Sequence, residues 1–455
     1  MLKKFEDLVS KKARERTKKL SSELKNGLIT GAADDDPSGI ATYSQSGAQF
    51  GHGLLWTLIF TTPLMVAIQL VGAKIGWVTG RGLAHAMCNI LPKKLALFLI
   101  GLMVVANTLN IAADIAAMGE ALQLIVGGRE HGHALVFGVL CAVLPVWLNY
   151  ESMVRVLKWL TLSLFAYVAV LLMLNVDWQQ TFQLALSPHI SANKNYWMMV
   201  VAVLGTTISP YLFFWQASQE AELRQVLKKR EDFKQSVVDV SDKPMTTDDV
   251  TIKQTVDAYH QFMKTHVARI KLDTNVGMLF SNLIAFSIML ATALTLHQHG
   301  IIDITSSKQA AEALRPIAGE FTFYLFSLGV IGTGMLAVPV LAGSAAYALA
   351  EVFSWKSGLN LKINEAKGFY GVLICATLVG TLLDFSALDP IKALVWSAVV
   401  NGVVAVPIMA VMMYLARHRQ LLGDYIIGRS HALLGWLATA VMFLAVGAML
   451  FDMVF

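Results

Sequence analysis

Cysteine is nearly absent from this 455-residue chain: Cys88, Cys141 and Cys375 stand far apart, odd in number and without a Cys-x-x-Cys pair. That excludes a disulfide framework and offers no zinc-ligand spacing. Charge is scarce too. Asp, Glu, Lys and Arg make up 15% of the chain against 56% hydrophobic residues, and mean hydropathy is +0.58, which excludes an ordinary soluble domain. The net charge of +5 calls for no nucleic-acid partner, because basic residues flanking membrane spans answer to anionic lipid and the insertion machinery. A cleavable leader is also missing: the first 19 residues are Lys/Arg-rich and amphipathic, with no apolar stretch and no small-residue cleavage site. What remains is an all-α polytopic membrane protein, with the bilayer as its partner and residues 1–23 expected as a basic cytoplasmic segment.

Eleven apolar segments reach, or nearly reach, the length that about 30 Å of hydrocarbon requires. They are 24–50, 53–78, 94–126, 132–150, 154–176, 197–223, 274–298, 320–352, 368–388, 391–416 and 431–454. With the N-terminus inside, 31 of the 36 Lys and Arg residues fall on the cytoplasmic side, leaving Arg129, Lys194, Lys308, Arg315 and Lys392 outside. This asymmetry predicts a cell (plasma or inner) membrane protein with its C-terminus outside. The chain then divides into spans one to six (24–223), a cytoplasmic loop (224–273), spans seven to ten (274–416), and a last loop and span (417–455). Within the loop, Val256, Tyr259, Met263, Val267 and Ile270 recur at steps of three and four, which predicts an amphipathic helix leading into span seven.

The first span carries a stretch that membrane helices exclude: Gly31-Ala-Ala-Asp-Asp-Asp-Pro-Ser-Gly-Ile40. An aspartate at the bilayer centre costs about 2.5 to 3.5 kcal/mol on insertion scales and has to face protein or water. Pro37 lacks an amide hydrogen and clashes with the preceding turn, so the helix is expected to break there. A break frees carbonyls near Ala33, beside the carboxylate of Asp36. Oxygen donors converging at membrane depth suit a cation. Asp34 and Asp35 enlarge the negative field or hold a hydrated ion through water. A turn with solvated aspartates is the alternative.

Span six repeats this logic. In Leu204-Gly-Thr-Thr-Ile-Ser-Pro-Tyr-Leu-Phe-Phe-Trp-Gln216 the apolar run is interrupted at its middle. Two broken spans, the first and the sixth, predict a five-plus-five inverted repeat with its site at the repeat interface.

The residues Asp36-Pro-Ser-Gly-Ile-Ala-Thr-Tyr-Ser-Gln-Ser-Gly-Ala-Gln-Phe-Gly51 and Gly76-Trp-Val-Thr-Gly-Arg-Gly-Leu-Ala84 resemble motifs of the Nramp divalent-metal transporters, and the similarity covers about 24 to 415. The resemblance implies a LeuT-like fold and a divalent cation held between unwound spans one and six. Asp36 and Pro37 match the family's Asp and Pro, but Gly39 stands where the family has an Asn ligand. In span six Ser209 replaces its Met, Pro210 its Pro, Tyr211 its His and Leu212 its Asn. The thioether that favours softer ions is gone. The implied donors, Asp36, Ser209 and the carbonyls of Ala33 and Thr206, are all hard oxygens, and Gly39 leaves room for water. Such a site suits Mg(II), which keeps several waters, as in the Nramp-related magnesium transporters.

Proton-coupled members use a carboxylate pair on span three and the span-six His. Here Asp114 matches the first carboxylate, the second falls on Ala117, and Tyr211, with an ordinary pKa near 10, does not relay protons at neutral pH. Lys367 sits near a family arginine or simply snorkels. Asn107, Asn110 and Asp114 share one helical face, which leaves a transport path or interhelical bonding open. Asn282 and Asn401 suit packing. Glu220 and Glu222 fit an inner vestibule or solvated helix ends, and His131 and His133 an external loop.

The expected function is secondary transport of a divalent cation, Mg(II) or Mn(II), into the cytoplasm by alternating access, without proton coupling and without a resident cofactor. A proton-coupled Mn(II)/Fe(II) transporter is the alternative. A non-transporting sensor, or an intramembrane aspartyl protease built on Asp114 and Asp384, represents other classes; the Gly-x-Gly-Asp context of such proteases is absent before Asp384. No enzymatic activity is expected.

Overall fold

A computed structural model describes residues 30–31, 33–147, 162–188, 190, 195–229, 249–384 and 389–454. The expected segment 1–23, the end of span four (148–150), the start of span five (154–161) and loop residues 230–248 lie outside the described residues.

The described chain is helical, without a strand. Its main helices are α1 (Pro37–Phe50), α2 (Leu55–Thr79), α3 (Leu83–Ile90), α4 (Lys93–Val126), α5 (Glu130–Trp147), α6 (Phe165–Met173), α7 (Trp178–Ala185) and α8 (Tyr196–Thr207). They continue with α9 (Pro210–Lys229), α10 (Asp249–Thr295), α11 (Ser307–Glu312), α12 (Thr322–Val352), α13 (Lys367–Leu383), α14 (Pro390–Leu415) and α15 (Arg429–Val454).

Eight helical stretches among the described residues are long and apolar enough to cross a bilayer. One, Pro37–Thr79, runs 43 residues, or about 65 Å at 1.5 Å per residue, twice the hydrocarbon thickness. Gly51, at φ +55°, turns the chain in its middle, so it holds two spans. Leu162–Met173 and Trp178–Ala185 form a pair bent by 118°, and α13 is a shorter apolar helix; counted as one span each, they match the expected eleven. The periodicity over 256–270 belongs to α10, an unbroken helix of 47 residues that runs on into the seventh span.

Many threonine hydroxyls inside the spans are bonded within their own helix. Thr61 donates to Thr57 O at 2.6 Å, Thr292 to Ile288 O at 2.9 Å and Thr381 to Thr377 O at 2.8 Å. In hydrocarbon this local bond removes the cost of a bare polar group. The core is built where α12 lies along α4, α9 along α2, α8 along α14, and α10 against both α1 and α2. Several of the closest approaches are backbone on backbone. A Cβ on Gly31 would come within 2.2 Å of Gly277 O on α10, and one on Gly205 within 2.1 Å of Ala398 O on α14. Only glycine allows either approach, and each glycine sits just before one of the two breaks.

At the end of the bundle where α1 gives way to α2, residues 301–312 fold back over the helices. Gln45 donates to Ile302 O at 3.2 Å and accepts from Ile304 N at 2.8 Å. Glu120 on α4 accepts both the Ser307 amide at 2.9 Å and its hydroxyl at 2.7 Å.

Candidate functional site

Both sequence breaks are real. Residues 33 and 34 are helical, Asp35 and Asp36 leave the helix, and Pro37 restarts it at the first position of α1, where a missing amide hydrogen costs nothing. Asp36 is the cap. Its Oδ1 accepts from the Gly39 amide at 2.7 Å and the Ser38 hydroxyl at 2.8 Å, an N-cap arrangement worth about 1 kcal/mol, with the helix dipole favouring the anion. On the other broken span, α8 ends at Thr207, Ile208 turns out of helical geometry (φ −122°, ψ 60°), and α9 restarts at Pro210.

The two breaks meet. The Tyr211 hydroxyl, on the first turn of α9, donates to the Ala33 carbonyl at 3.0 Å. Ser209 turns back on its own helix, donating to Gly205 O at 2.8 Å and Thr206 O at 2.7 Å. Asp36, Ser209 and Thr206 are buried, as are Ala33 and Tyr211. The two backbone oxygens named from the sequence, of Ala33 and Thr206, are therefore each engaged by a neighbouring hydroxyl.

Gly39 does more than leave space. Its amide holds Asp36, and a Cβ there would lie 3.3 Å from Asp34 O, 3.4 Å from the Tyr43 ring and 3.5 Å from Asp36 Oδ1.

The second oxygen of Asp36 carries a relay that sequence reasoning missed. Asn110 on α4 donates to Asp36 Oδ2 at 2.9 Å, and Ser397 on α14 donates to Asn110 Oδ1 at 2.7 Å. Only the shared helical face of 107, 110 and 114 hinted at the first step, and nothing in sequence signalled Ser397. Asp36 is thus addressed by its own helix and, through Asn110, by α4 and α14. Asn107, on the same face, turns to α12 instead, donating to Leu341 O at 3.0 Å and Ser344 Oγ at 2.7 Å. Asp114 is buried close enough to Asp36 to interact with it electrostatically.

Asp34 and Asp35 look toward α10. The Ser281 hydroxyl lies 2.6 Å from Asp34 Oδ2 and 3.1 Å from Asp35 Oδ1. Both are buried, so the turn with solvated aspartates is excluded. Among the described residues no three His, Cys, Asp or Glu side chains converge as a metal cage.

The remaining polar residues fall elsewhere. Glu220 is no solvated helix end: it is fully buried and paired with Arg269 at 2.6 Å. Glu222 accepts from the Tyr347 hydroxyl at 2.7 Å and Asn360 Nδ2 at 2.8 Å, on the wall of a cavity of about 620 Å³. Asn282 bonds Leu58 O at 2.8 Å and the Thr62 hydroxyl, a packing role. His131 contacts Asp384 at 3.0 Å, Lys367 is exposed at the start of α13, and neither lies at the breaks.

A polytopic helical membrane protein with two broken spans whose breaks face one another has the scaffold of the LeuT-like transporters. The model for "Natural resistance-associated macrophage protein-like" (Nramp) sequences matches residues 27–452, and the chain belongs to the Nramp family. It is 24% identical over 401 residues to a divalent metal cation transporter MntH from Caldanaerobacter subterraneus subsp. tengcongensis, covering 84% of this chain and 82% of that one. It is 22% identical over 418 residues to the Klebsiella pneumoniae (strain 342) protein of the same name, covering 89% and 88%. Among solved structures, the Eremococcus coleocola manganese transporter superposes with a TM-score of 0.69 at 15% identity, covering 95% of this chain and 87% of that one. MhsT in complex with L-phenylalanine superposes at 0.51 with 13% identity, covering 94% and 98%. At these identities the superpositions speak for the fold.

Proposed function

We propose that this chain is a secondary transporter carrying a divalent cation, Mg(II) first and Mn(II) second, into the cytoplasm by alternating access and without proton coupling. The observation that carries the reading is the Asp36 carboxylate, buried at a helix break and hydrogen-bonded by the Gly39 amide, the Ser38 hydroxyl and the Asn110 amide, with Ser209, Tyr211, Ala33 and Thr206 buried at the two breaks. The cation is substrate. Asp36 supplies charge; the carbonyls become ligands when the Tyr211 and Ser209 hydroxyls turn away; Gly39 keeps the carboxylate in place. With serine at position 209 the proposed donors are all oxygen, and oxygen donors do not reward a softer ion over Mg(II).

Several features support uptake without protons. Tyr211 is engaged with a carbonyl and titrates far above neutral pH in ordinary surroundings. Asp114 has Ala117 one turn further on and no carboxylate partner there. An inside-negative potential contributes about 2.3 kcal/mol per charge per 100 mV, hence about 4.6 kcal/mol for a divalent ion. This direction takes the N-terminus as cytoplasmic, as the Lys and Arg distribution predicts.

A second reading, proton-coupled Mn(II) transport, is favoured by the names of the relatives and by Asp114. One experiment separates the two. Proteoliposomes loaded with a Mg(II)-sensitive dye and a pH dye receive Mg(II) or Mn(II) outside. Mg(II) entry without acidification supports the first reading; Mn(II) entry with acidification and no Mg(II) entry establishes the second. Asp36→Ala is expected to abolish uptake of either ion.

A further inference from the structure

Away from the breaks, α2, α10 and the start of α15 enclose a small groove of about 100 Å³. Its walls are apolar, formed by Leu70, Val71, Ile270 and Ile427, and two lysines and a histidine stand around it: Lys74, Lys271 and His431. They come from three elements remote in sequence. Lys74 is partly buried five residues before the end of α2 and donates to the Ile426 carbonyl at 3.2 Å. Lys271 lies on α10, and His431 on the first turn of α15 beside Arg429.

No carboxylate lines this groove, and among the described residues neither lysine makes an ion pair. Glu220, by contrast, has Arg269 on the same α10. Isolated lysines at span ends are ordinarily snorkelling side chains. Two lysines gathered with a hydrogen-bonding histidine on one apolar groove without a protein anion are a different arrangement, one that fits an anionic partner outside the chain. The charge distribution places this end of the spans at the cytoplasmic membrane surface, where anionic lipid headgroups lie and where basic pockets between spans take such headgroups.

We propose that the groove between α2, α10 and α15 binds one anionic phospholipid, its phosphate on Lys74, Lys271 and His431 and an acyl chain along Leu70, Val71 and Ile270. The lipid fastens α15, which lies beyond the ten helices of the repeats, to α2 and α10. This binding is independent of which ion crosses at Asp36.

The test is native mass spectrometry of the purified full chain in a neutral detergent with palmitoyl-oleoyl phosphatidylglycerol or the corresponding phosphatidylcholine. One phosphatidylglycerol is expected to be retained at a concentration at least tenfold lower than phosphatidylcholine. K74Q/K271Q is expected to lose that preference, at about fivefold per lysine, whereas K74R/K271R keeps it. Equal retention of the two lipids by the wild type overturns the proposal, and so does an undiminished preference in K74Q/K271Q. Displacement of phosphatidylglycerol by millimolar inorganic phosphate also overturns it, by making the groove a free-anion site. If K74Q/K271Q does not fold, the wild-type comparison and K74R/K271R decide alone. Ion uptake by Asp36→Ala bears on the transport reading only, so the two fail separately.

Discussion

The Tyr211 hydroxyl donates to the Ala33 carbonyl across 3.0 Å, joining the two broken spans at their breaks. If the Ala33 carbonyl is a ligand, as proposed, a cation has to displace this bond.

Removing that competitor is expected to help binding. A net hydrogen bond is worth about 0.5 to 1.5 kcal/mol, so Tyr211→Phe should lower the KM for Mg(II) by up to about tenfold. An unchanged KM in liposome uptake shows that the Ala33 oxygen is not a ligand.

Asn110→Ala tests the relay onto Asp36. Groups that orient a ligand cost about 10- to 100-fold in metal affinity when removed. A rise of about tenfold or more in KM is expected, with a smaller rise for Ser397→Ala, which acts one bond further away. Thermal melting of each variant distinguishes this from unfolding; equal KM values at wild-type stability reject the relay.

Ser209→Met both adds a thioether and releases the Thr206 carbonyl. The ratio of Mn(II) to Mg(II) uptake should rise by about tenfold or more, since softer metals gain from sulfur and Mg(II) does not. No change in the ratio means the ion is not read at this position.

Gly205→Val should be among the most damaging single changes. Its Cβ would stand 2.1 Å from Ala398 O and 2.6 Å from Gly402 N, and overpacking of backbone against backbone typically costs 1 to 3 kcal/mol or more. Gly101→Ala, with nothing within 4 Å of the new Cβ, is the control. Melting temperature should fall sharply in the first and hold in the second.

Much of this architecture is legible in the residues themselves. Pro37 and Pro210 mark helix restarts because proline's chemistry is local, and Asp36 declares itself because a carboxylate amid apolar sequence has few explanations. Span lengths follow from bilayer thickness. The partners of Asp36 are a different matter. Asn110 lies 74 residues away and Ser397 a further 287, and amide and hydroxyl side chains give no pattern to connect them. Sequence names Ala33 and Thr206 as oxygen donors but says nothing of Tyr211 and Ser209 engaging them, because that depends on rotamers. Glu220 reads as a solvated end until Arg269, 49 residues later, is placed beside it.

The segment 301–312 is fastened to the bundle at Gln45 and Glu120 by a handful of hydrogen bonds from side chains to a loop and a short helix. At about 1 kcal/mol net for each, these bonds amount to a few kcal/mol beside the burial of Ile304, Ala310 and Ala311 in the core. A segment held this way is expected to open locally more often than the spans beneath it, and exchanging Gln45 or Glu120 for alanine should raise amide hydrogen exchange in 301–312 while leaving exchange in the spans unchanged.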